Sequence, residues 1–171
     1  SRWRRQQGAL MFDRMEGRFR RHEGELSLQL VEPSPARLMV SEAMLLMGAV
    51  VADFGCQNSL ALPFRSQPPA ELPSQAELDQ LPEGPARDAA IKRCLSRGVQ
   101  GTQPMAHFSL GLAAYVQATS PIRRYADLAS HRQIIAQLEG ATPLSEHEVG
   151  ELIGDLDDPL RQSIQISRED Q

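Results

Sequence analysis

The sequence predicts an α+β fold that is mainly helical, with an N-terminal β-hairpin and a short strand packed on several helices. Several stretches begin with a Ser-Pro or Ser-x-x-Glu pattern and continue with apolar residues at helical spacing, which is typical of capped helices. Residues 26–31 alternate apolar and polar side chains after Glu23 and Gly24, as the half-buried second strand of a hairpin does. With 171 residues, the chain is long enough for one domain with its own core.

The composition argues against a membrane protein and against a generally basic nucleic-acid-binding surface. No apolar run approaches the ~18 residues of a membrane span, and the arginine-rich start lacks the apolar stretch of a signal peptide. We therefore expect no membrane partner and a cytoplasmic protein of bacterial type, with an organelle left open. The net charge is −4, but residues 1–21 hold seven arginines. They form either an RNA-facing arm or a solvated face, and the solvated face is favoured.

Ser34 and Pro35 predict the start of a helix that ends near Gly55. Its apolar residues cover most of the circumference, which predicts a central buried helix. Glu42 lies inside this apolar stretch, where a carboxylate needs a partner or a role. Either it pairs with a nearby arginine, or it accepts hydrogen bonds from a ligand.

The remaining elements are predicted from local signals. Residues 59–65 predict a strand, and residues 98–104 predict a polar turn. The helices are predicted to start at capping boxes at Ser74 and Ser145, the latter helix ending near Asp155, and at Pro85 and Pro159. In the helix over 85–97, five side chains are expected to be buried: Ala89, Ala90, Ile91, Cys94 and Leu95.

The stretch 119–128 predicts a helix start with an anomaly. Ser120 is expected to cap the helix and Pro121 to occupy its first position, and Gly140 ends the helix. Arg123 and Arg124 then fall in the first turn, where the helix dipole favours acidic residues. One interpretation is an anion site, most simply for a phosphate. The other is that both arginines are solvent-exposed and neutralised by Asp127, and the residues alone leave both interpretations open.

Other chemistry-bearing motifs are few. The sequence contains no glycine-rich phosphate loop, and nothing marks a nucleophile elbow. Cys56 and Cys94 have no histidine at metal-ligand spacing, so we expect reduced structural thiols and no metal site. His107 and Tyr115 stand among small residues, which indicates close backbone packing, and His107 is expected to be structural.

The stretch 107–132 reads HFxLxLxxYxxxTSPIRRYxDLxxHR, with x for any residue, and it resembles the signature of the RNB-family exoribonucleases, the ribonuclease II and ribonuclease R group. Three other stretches resemble the family in order and spacing: GALxFD at 8–13, VSEAMLL at 40–46 and LPFR at 62–65. The resemblance covers essentially the whole chain. It implies that residues 1–171 form the C-terminal portion of a single RNB-type catalytic domain, without the metal-binding N-terminal half and the OB-fold domains.

The resemblance implies part of a 3′→5′ hydrolytic exoribonuclease that degrades single-stranded RNA to nucleoside 5′-monophosphates. Arg123 resembles the catalytic arginine that contacts the scissile phosphate, and Arg124 a neighbouring position that binds backbone phosphate. Glu42 resembles the acid beside the 3′-terminal nucleotide. Supporting RNA-binding roles are implied for three further signature positions: Ser120, Tyr125 and Arg65.

The family's Mg²⁺ site is built from aspartates spaced like DxxxxxDxDD, and no such cluster occurs in this sequence. The resemblance therefore implies Mg²⁺ for the parent enzyme with ligands outside this chain, and an inactive isolated chain. Such a chain is expected to bind the missing half of its domain or to self-associate. Two alternatives stay open: a non-catalytic RNA-binding homologue, and a structural helical domain whose arginine pair serves a protein interface.

Overall fold

A computed structural model of the chain describes residues 2–12, 16–22, 24–31 and 34–169 and has the predicted α+β architecture. The strands form two separate antiparallel pairs, and most of the other described residues lie in helices or loops. The elements in chain order are α1 (Arg2–Gln6), β1 (Glu16–His22), β2 (Glu25–Val31), α2 (Pro35–Gln57), β3 (Phe64–Ser66), α3 (Gln75–Asp79), α4 (Pro85–Cys94), β4 (Val99–Gly101), α5 (Tyr125–Glu139) and α6 (Glu146–Glu169).

Strands β1 and β2 form the predicted hairpin, in a register that pairs Phe19 with Leu28. The expectation that its second arm is half-buried is wrong for the described side chains, because Leu26 and Leu28 are exposed. Phe19 on the first arm is 74% exposed as well. The hairpin thus stands clear of the core, and its apolar side chains are not covered by the described part of the chain.

The second sheet corrects two predictions around residues 59–65 and 98–104. The strand begins at Phe64 rather than at Ser59, and it pairs with Val99–Gly101 inside the segment predicted as a polar turn. The N–H of the buried Phe64 donates to the Leu62 carbonyl at 2.9 Å, so this backbone donor is satisfied at the start of the strand. Because β4 carries polar residues and exposes Val99, its hydrophobicity gave no signal of a strand.

Helix α2 starts as predicted, since the Ser34 hydroxyl accepts a hydrogen bond from the Arg37 N–H. It ends at Gln57, past Gly55. The expectation of a central buried helix is wrong in this chain, because the residues that are buried are Gly48, Val51, Ala52 and Gly55. Most of the other large apolar side chains of α2 are exposed: Leu38, Met39, Val40, Met44, Leu46, Met47 and Val50.

By length and composition alone, α2 could cross a membrane, with a mean hydropathy of 1.6 over its most apolar window. Core helices of soluble proteins have the same property, so this finding is weak evidence for a membrane span. Only 22% of that window is buried, which leaves a broad apolar face uncovered.

The core lies between the C-terminal half of α2, the segment 60–64 and the segment 116–118. Its buried members are Val51, Ala52, Leu60, Leu62, Phe64, Val116 and Ala118. Gly48 lets these parts approach closely: a Cβ there would collide with the Tyr115 ring and lie 2.5 Å from the Val116 carbonyl oxygen. The Val116 N–H also donates to the Gly48 carbonyl at 3.2 Å.

The other helices confirm the capping signals and correct two extents. The boxes at Ser74 and Ser145 are both formed, each serine accepting from a backbone N–H and binding the glutamate three positions on. Helix α4 ends at Cys94 and contains no buried residue, so the five expected core side chains are exposed or half-buried. Helix α6 is one continuous helix through Pro159, so the predicted end near Asp155 and the predicted new start at Pro159 are both wrong.

Candidate functional site

The stretch around Ser120 forms a tight turn instead of the predicted helix start. The N–H groups of Arg123 and Arg124 both donate to the Ser120 carbonyl, at 3.2 Å and 3.0 Å. Helix α5 begins only at Tyr125, with Arg124 in an extended conformation before it and no side-chain cap. The predictions that Ser120 caps the helix and that Pro121 is its first residue are therefore wrong.

Asp127 is the physical reason for this difference. Its carboxylate is fully buried and accepts hydrogen bonds from the Ser120 N–H at 2.8 Å and from Arg124 Nε and Nη2 at 2.9 Å and 2.7 Å. An acid in the first turn is also favoured by the helix dipole. Three charge-assisted hydrogen bonds to this carboxylate hold the turn against α5. The Asp127 carboxylate, and not the Ser120 hydroxyl, thus accepts a backbone N–H at the start of the helix.

The two arginines of the turn have different surroundings. The Arg124 fork is engaged by Asp127 and approaches the Thr119 hydroxyl at 3.4 Å. Arg123 is exposed and has no ion-pair partner in the described part of the chain. Asp127 neutralises Arg124 and leaves Arg123 at the surface, so the second sequence interpretation holds for Arg124 alone, and the anion site stays a prediction. Beside them, Tyr125 is about half exposed at the start of α5.

Tyr115 binds the backbone of Arg65 and lies within the electrostatic influence of Arg124. The Arg65 N–H donates to the Tyr115 carbonyl at 2.8 Å, and its guanidinium Nη1 donates to Gln117 Oε1 at 3.1 Å. Burial raises the pKa of the Tyr115 phenol, while the cations Arg124, Arg65 and Arg4 oppose that rise. Separate stretches of the chain thus converge on Tyr115. Tyr115 was not predicted to be a site residue, although it lies at a signature position.

His107 packs edge-on against the Tyr115 ring, with the ring centroids 6.0 Å apart. It is 8% exposed, and its Nδ1 has no hydrogen-bond partner among the described residues. Burial, assisted by the nearby Arg65 cation, lowers the pKa of His107 to about 4. The imidazole is therefore neutral at neutral pH, which fits the structural role expected for it.

Glu42 is paired with Arg4, as the first of its two sequence alternatives proposed. Arg4 Nε donates to Glu42 Oε2 at 3.0 Å, and Nη2 donates to Oε1. This pairing lowers the pKa of Glu42 to about 2. The pair borders a mostly apolar cavity of about 390 Å³, which Trp3, Leu46 and Leu112 also line.

The described residues do not offer a site for a divalent metal. Within residues 2–12, 16–22, 24–31 and 34–169, no group of three or more His, Cys, Asp or Glu side chains could hold a metal ion. Asp127, the fully buried acid of the turn, is engaged by Arg124 and the Ser120 N–H.

Sequence comparison relates the chain to a known domain family and to proteins that are named as ribonucleases. The family model described as the RNB domain matches residues 1–140. An uncharacterized ribonuclease of Synechocystis sp. is 43% identical over 153 residues, covering 88% of this chain and 23% of that protein. The chloroplastic/mitochondrial ribonuclease II of Arabidopsis thaliana is 40% identical over 147 residues, covering 82% of this chain and 18% of that protein. The chain thus spans about a fifth of the length of these relatives.

Three solved structures share the fold at low sequence identity. RNase R of Mycoplasma genitalium, in complex with ribose-methylated single-stranded RNA, has a TM-score of 0.69 at 21% identity and covers 90% of this chain and 29% of its own. The Dss1 exoribonuclease of Candida glabrata has a TM-score of 0.72 at 22% identity, over 87% of this chain and 20% of its own. Yeast Ssd1, a pseudonuclease, has a TM-score of 0.55 at 16% identity, over 68% of this chain and 19% of its own. The same fold therefore occurs in nucleases and in a pseudonuclease.

Proposed function

Because this chain belongs to the RNB family, we propose that it is part of a 3′→5′ hydrolytic exoribonuclease that degrades single-stranded RNA to nucleoside 5′-monophosphates. The observation that supports this proposal most is the RNB match over residues 1–140, together with relatives named as ribonucleases. In this proposal, residues 1–171 are the C-terminal portion of one catalytic domain. The remainder of that domain and the OB-fold domains belong to the rest of the protein.

Arg123 is the catalytic residue of the proposal. Its guanidinium is exposed on a turn that Asp127 holds rigidly, so it can reach a phosphate without first breaking an ion pair. A fork of N–H donors aimed at a scissile phosphate stabilises the negative charge that develops in phosphodiester hydrolysis. Arg124 contributes to RNA binding mainly by holding this turn, since two of its N–H groups are bound to Asp127.

Four other residues are proposed to contact the RNA. Glu42 accepts a hydrogen bond from a ribose hydroxyl of the 3′-terminal nucleotide, which favours RNA over DNA. The cavity of about 390 Å³ beside it is within the size range of small-ligand pockets. Ser120, Tyr125 and Arg65 have supporting roles, which their positions on or near the turn and β3 favour.

The metal of the proposed enzyme is Mg²⁺, and its ligands lie outside the described residues. Those residues contain no cluster fit for a divalent ion, so this portion supplies the phosphate clamp and the 3′-end contacts. We propose a cytoplasmic location in a bacterium or the interior of an organelle, in line with relatives from Synechocystis sp. and the chloroplast or mitochondrion of Arabidopsis thaliana.

A non-catalytic RNA-binding homologue is the second candidate, and the fold shared with the pseudonuclease Ssd1 favours it. The two candidates differ in the remainder of the catalytic domain. An aspartate cluster spaced like DxxxxxDxDD there favours the enzyme, and its loss favours the non-catalytic homologue.

The test uses the full-length protein and the substitution Arg123→Ala. We expect kcat/KM on single-stranded RNA to fall about 10²–10³-fold, because one charge-stabilising donor is removed from the transition state. The matched control is Arg93→Ala, which removes an exposed arginine of α4 and should leave hydrolysis unchanged. Salt-dependent RNA binding without hydrolysis would support the non-catalytic homologue. RNA binding insensitive to salt and to Arg123→Ala would contradict both candidates in favour of a protein-interaction domain.

A further inference from the structure

Tyr115 is a polar side chain whose ring is held in one position. The ring packs so closely against Gly48 that a Cβ atom there would collide with it. The His107 imidazole meets it edge-on, with the two ring planes at 86° to each other. The Tyr115 carbonyl accepts a hydrogen bond from the Arg65 N–H at 2.8 Å, so the backbone is held as well. The phenol oxygen therefore occupies one defined position in the molecule.

This phenol oxygen forms no hydrogen bond within residues 2–12, 16–22, 24–31 and 34–169, although Tyr115 is only 9% exposed. The O–H of a buried tyrosine usually finds a hydrogen-bond partner. Among the described residues, the side-chain polar atom that is fully buried without a partner is His107 Nδ1, and not the Tyr115 oxygen. The Tyr115 oxygen therefore reaches the surface, where it can donate to a bound molecule.

The charge near this oxygen is mainly positive. Three arginines act on it electrostatically: Arg124, Arg65 and Arg4. Asp127 pairs with the first of them and Glu42 with the last. Arg65 has no carboxylate partner in the described part of the chain, because its guanidinium donates to the neutral Gln117 amide at 3.1 Å. An O–H donor without a partner, beside a cation without a counter-ion, favours an anion that accepts hydrogen bonds.

An RNA phosphate is such an anion, because its non-bridging oxygens accept from a hydroxyl and from a guanidinium at the same time. The chain leads from Tyr115 through Gln117 into the turn that carries the exposed Arg123. Donors for phosphate oxygens thus lie at both ends of this short stretch.

We propose that Tyr115 is an RNA-binding residue whose phenol O–H, together with the Arg65 guanidinium, donates to one phosphate of the RNA held at the turn. This inference rests on the proposed function. Because the ring is already fixed, little side-chain entropy is lost when the phosphate binds. A contact with the phosphate backbone adds affinity without reading the base sequence.

The first measurement is binding of single-stranded RNA to the full-length protein in EDTA, which prevents metal-dependent hydrolysis. Tyr115→Phe keeps the ring and removes only the O–H. We expect it to weaken RNA binding about tenfold, which is typical of a lost hydrogen bond to a charged group. The thermal midpoint should not fall, because the O–H has no hydrogen bond to lose in the described part of the chain.

The second measurement identifies the phosphate. A set of RNAs carries one methylphosphonate at successive linkages, as separated diastereomers, so that a methyl group replaces one charged oxygen. Each RNA and its charged reference have 2′-O-methyl ribose at that linkage, which prevents strand cleavage. At one linkage the modification should remove most of the tenfold difference between wild type and Tyr115→Phe, because both changes remove the same contact. At the other linkages the difference should persist.

Two further variants complete the design. Arg65→Gln removes the neighbouring cation, and its loss of affinity should disappear at the same linkage as that of Tyr115→Phe. The matched control is Ser130→Ala, which removes a buried hydroxyl that donates to the Ala126 carbonyl at 2.9 Å. This control should bind every RNA of the set as the wild type does.

The outcomes separate the inference from the proposed function. RNA binding unchanged by Tyr115→Phe, or a weakening that no methylphosphonate removes, overturns the phosphate contact. A lower thermal midpoint of Tyr115→Phe with unchanged RNA affinity also overturns it, in favour of a hydrogen bond within the full-length protein. An effect of Arg65→Gln at a different linkage overturns the shared phosphate. A protein that shows the expected dependence but hydrolyses no RNA in Mg²⁺ contradicts the exoribonuclease proposal alone, and one that binds no RNA contradicts both.

Discussion

At the scale of single residues, buried charged and polar groups determine the local structure of the candidate site. Asp127 has no exposed surface, and its carboxylate accepts three hydrogen bonds. Because a buried carboxylate needs these donors, Ser120 and Arg124 are held against α5. Asp127 and Arg124 were recognisable in the sequence as neighbours, because they are three positions apart. That the carboxylate also takes the Ser120 N–H, and so delays the helix start, follows from its burial, which local sequence does not reveal.

Asp127→Ala should lower the free energy of unfolding by about 1.5–3 kcal/mol, because it removes the charged acceptor and leaves Arg124 without its bound partner. Chemical denaturation measures this change. The control is Asp53→Ala, which removes an exposed acid that accepts one hydrogen bond from Gln57. It should change the stability by less than about 0.5 kcal/mol. Equal losses for the two substitutions would contradict the role given to Asp127.

His107 should make stability depend on pH between about 4 and 6.5. Its pKa is lowered from 6.5 to about 4 in the folded chain, so the unfolded chain binds the proton more readily in this interval. The contribution is therefore full above pH 6.5 and is lost as the pH falls toward 4. The comparison is the thermal midpoint of the wild type and of His107→Gln from pH 5 to 7.

Glu42 does not interfere with that comparison. Its pKa is lowered from 4.5 to about 2, so its contribution is present above pH 4.5 and declines only below that value. Between pH 5 and 6.5 the wild type should lose stability on acidification, and His107→Gln should lose less. Parallel curves for both proteins would contradict a neutral buried imidazole.

At the scale of elements, the accuracy of the sequence predictions depends on whether the deciding interaction is local. The caps at Ser34, Ser74 and Ser145 and the end of α5 at Gly140 were predicted, because each rests on contacts within a few residues. Strand β4 was missed, because its pairing with β3 joins distant segments of polar sequence. Arg4 and Glu42 are 38 positions apart. The sequence therefore predicted that Glu42 pairs with an arginine, but it could not identify Arg4 as that arginine.

The contact between α2 and Tyr115 should tolerate no side chain at Gly48. Gly48→Ala puts a methyl group against the Tyr115 ring and the Val116 carbonyl, which should lower the free energy of unfolding by about 1–3 kcal/mol. The control is Gly154→Ala in α6, where nothing lies within 4 Å of the added Cβ. It should raise stability by up to about 1 kcal/mol, because alanine has the higher helix propensity. A stabilising Gly48→Ala would show that the packing there is loose.

At the scale of the whole molecule, the described chain leaves large apolar surfaces uncovered on α2 and on the β1–β2 hairpin. The sequence pattern of α2 predicted burial on most of its circumference, but this chain alone covers only a narrow stripe of small residues. A helix that is apolar on most of its circumference is typically covered on most sides. In the proposed function, the remainder of the catalytic domain covers this face.

The isolated 171-residue chain should hydrolyse no RNA when Mg²⁺ is added, because its described residues contain no cluster that could hold the ion. The measurement is release of mononucleotides from a labelled single-stranded RNA, with and without EDTA. The matched control is the full-length protein under the same conditions. Mg²⁺-dependent hydrolysis by the isolated chain, abolished by EDTA, would contradict the proposed separation of phosphate clamp and metal ligands.

Gly48 has a consequence for the direction in which α2 presents its other side chains. Only a hydrogen atom fits between this helix and Tyr115, so α2 cannot turn about its own axis without driving a side chain into that contact. The glycine therefore fixes the rotation of α2 about its own axis. Glu42 lies within two turns of Gly48 on the same helix. The direction in which Glu42 faces Arg4 therefore depends partly on the absence of a Cβ atom at Gly48.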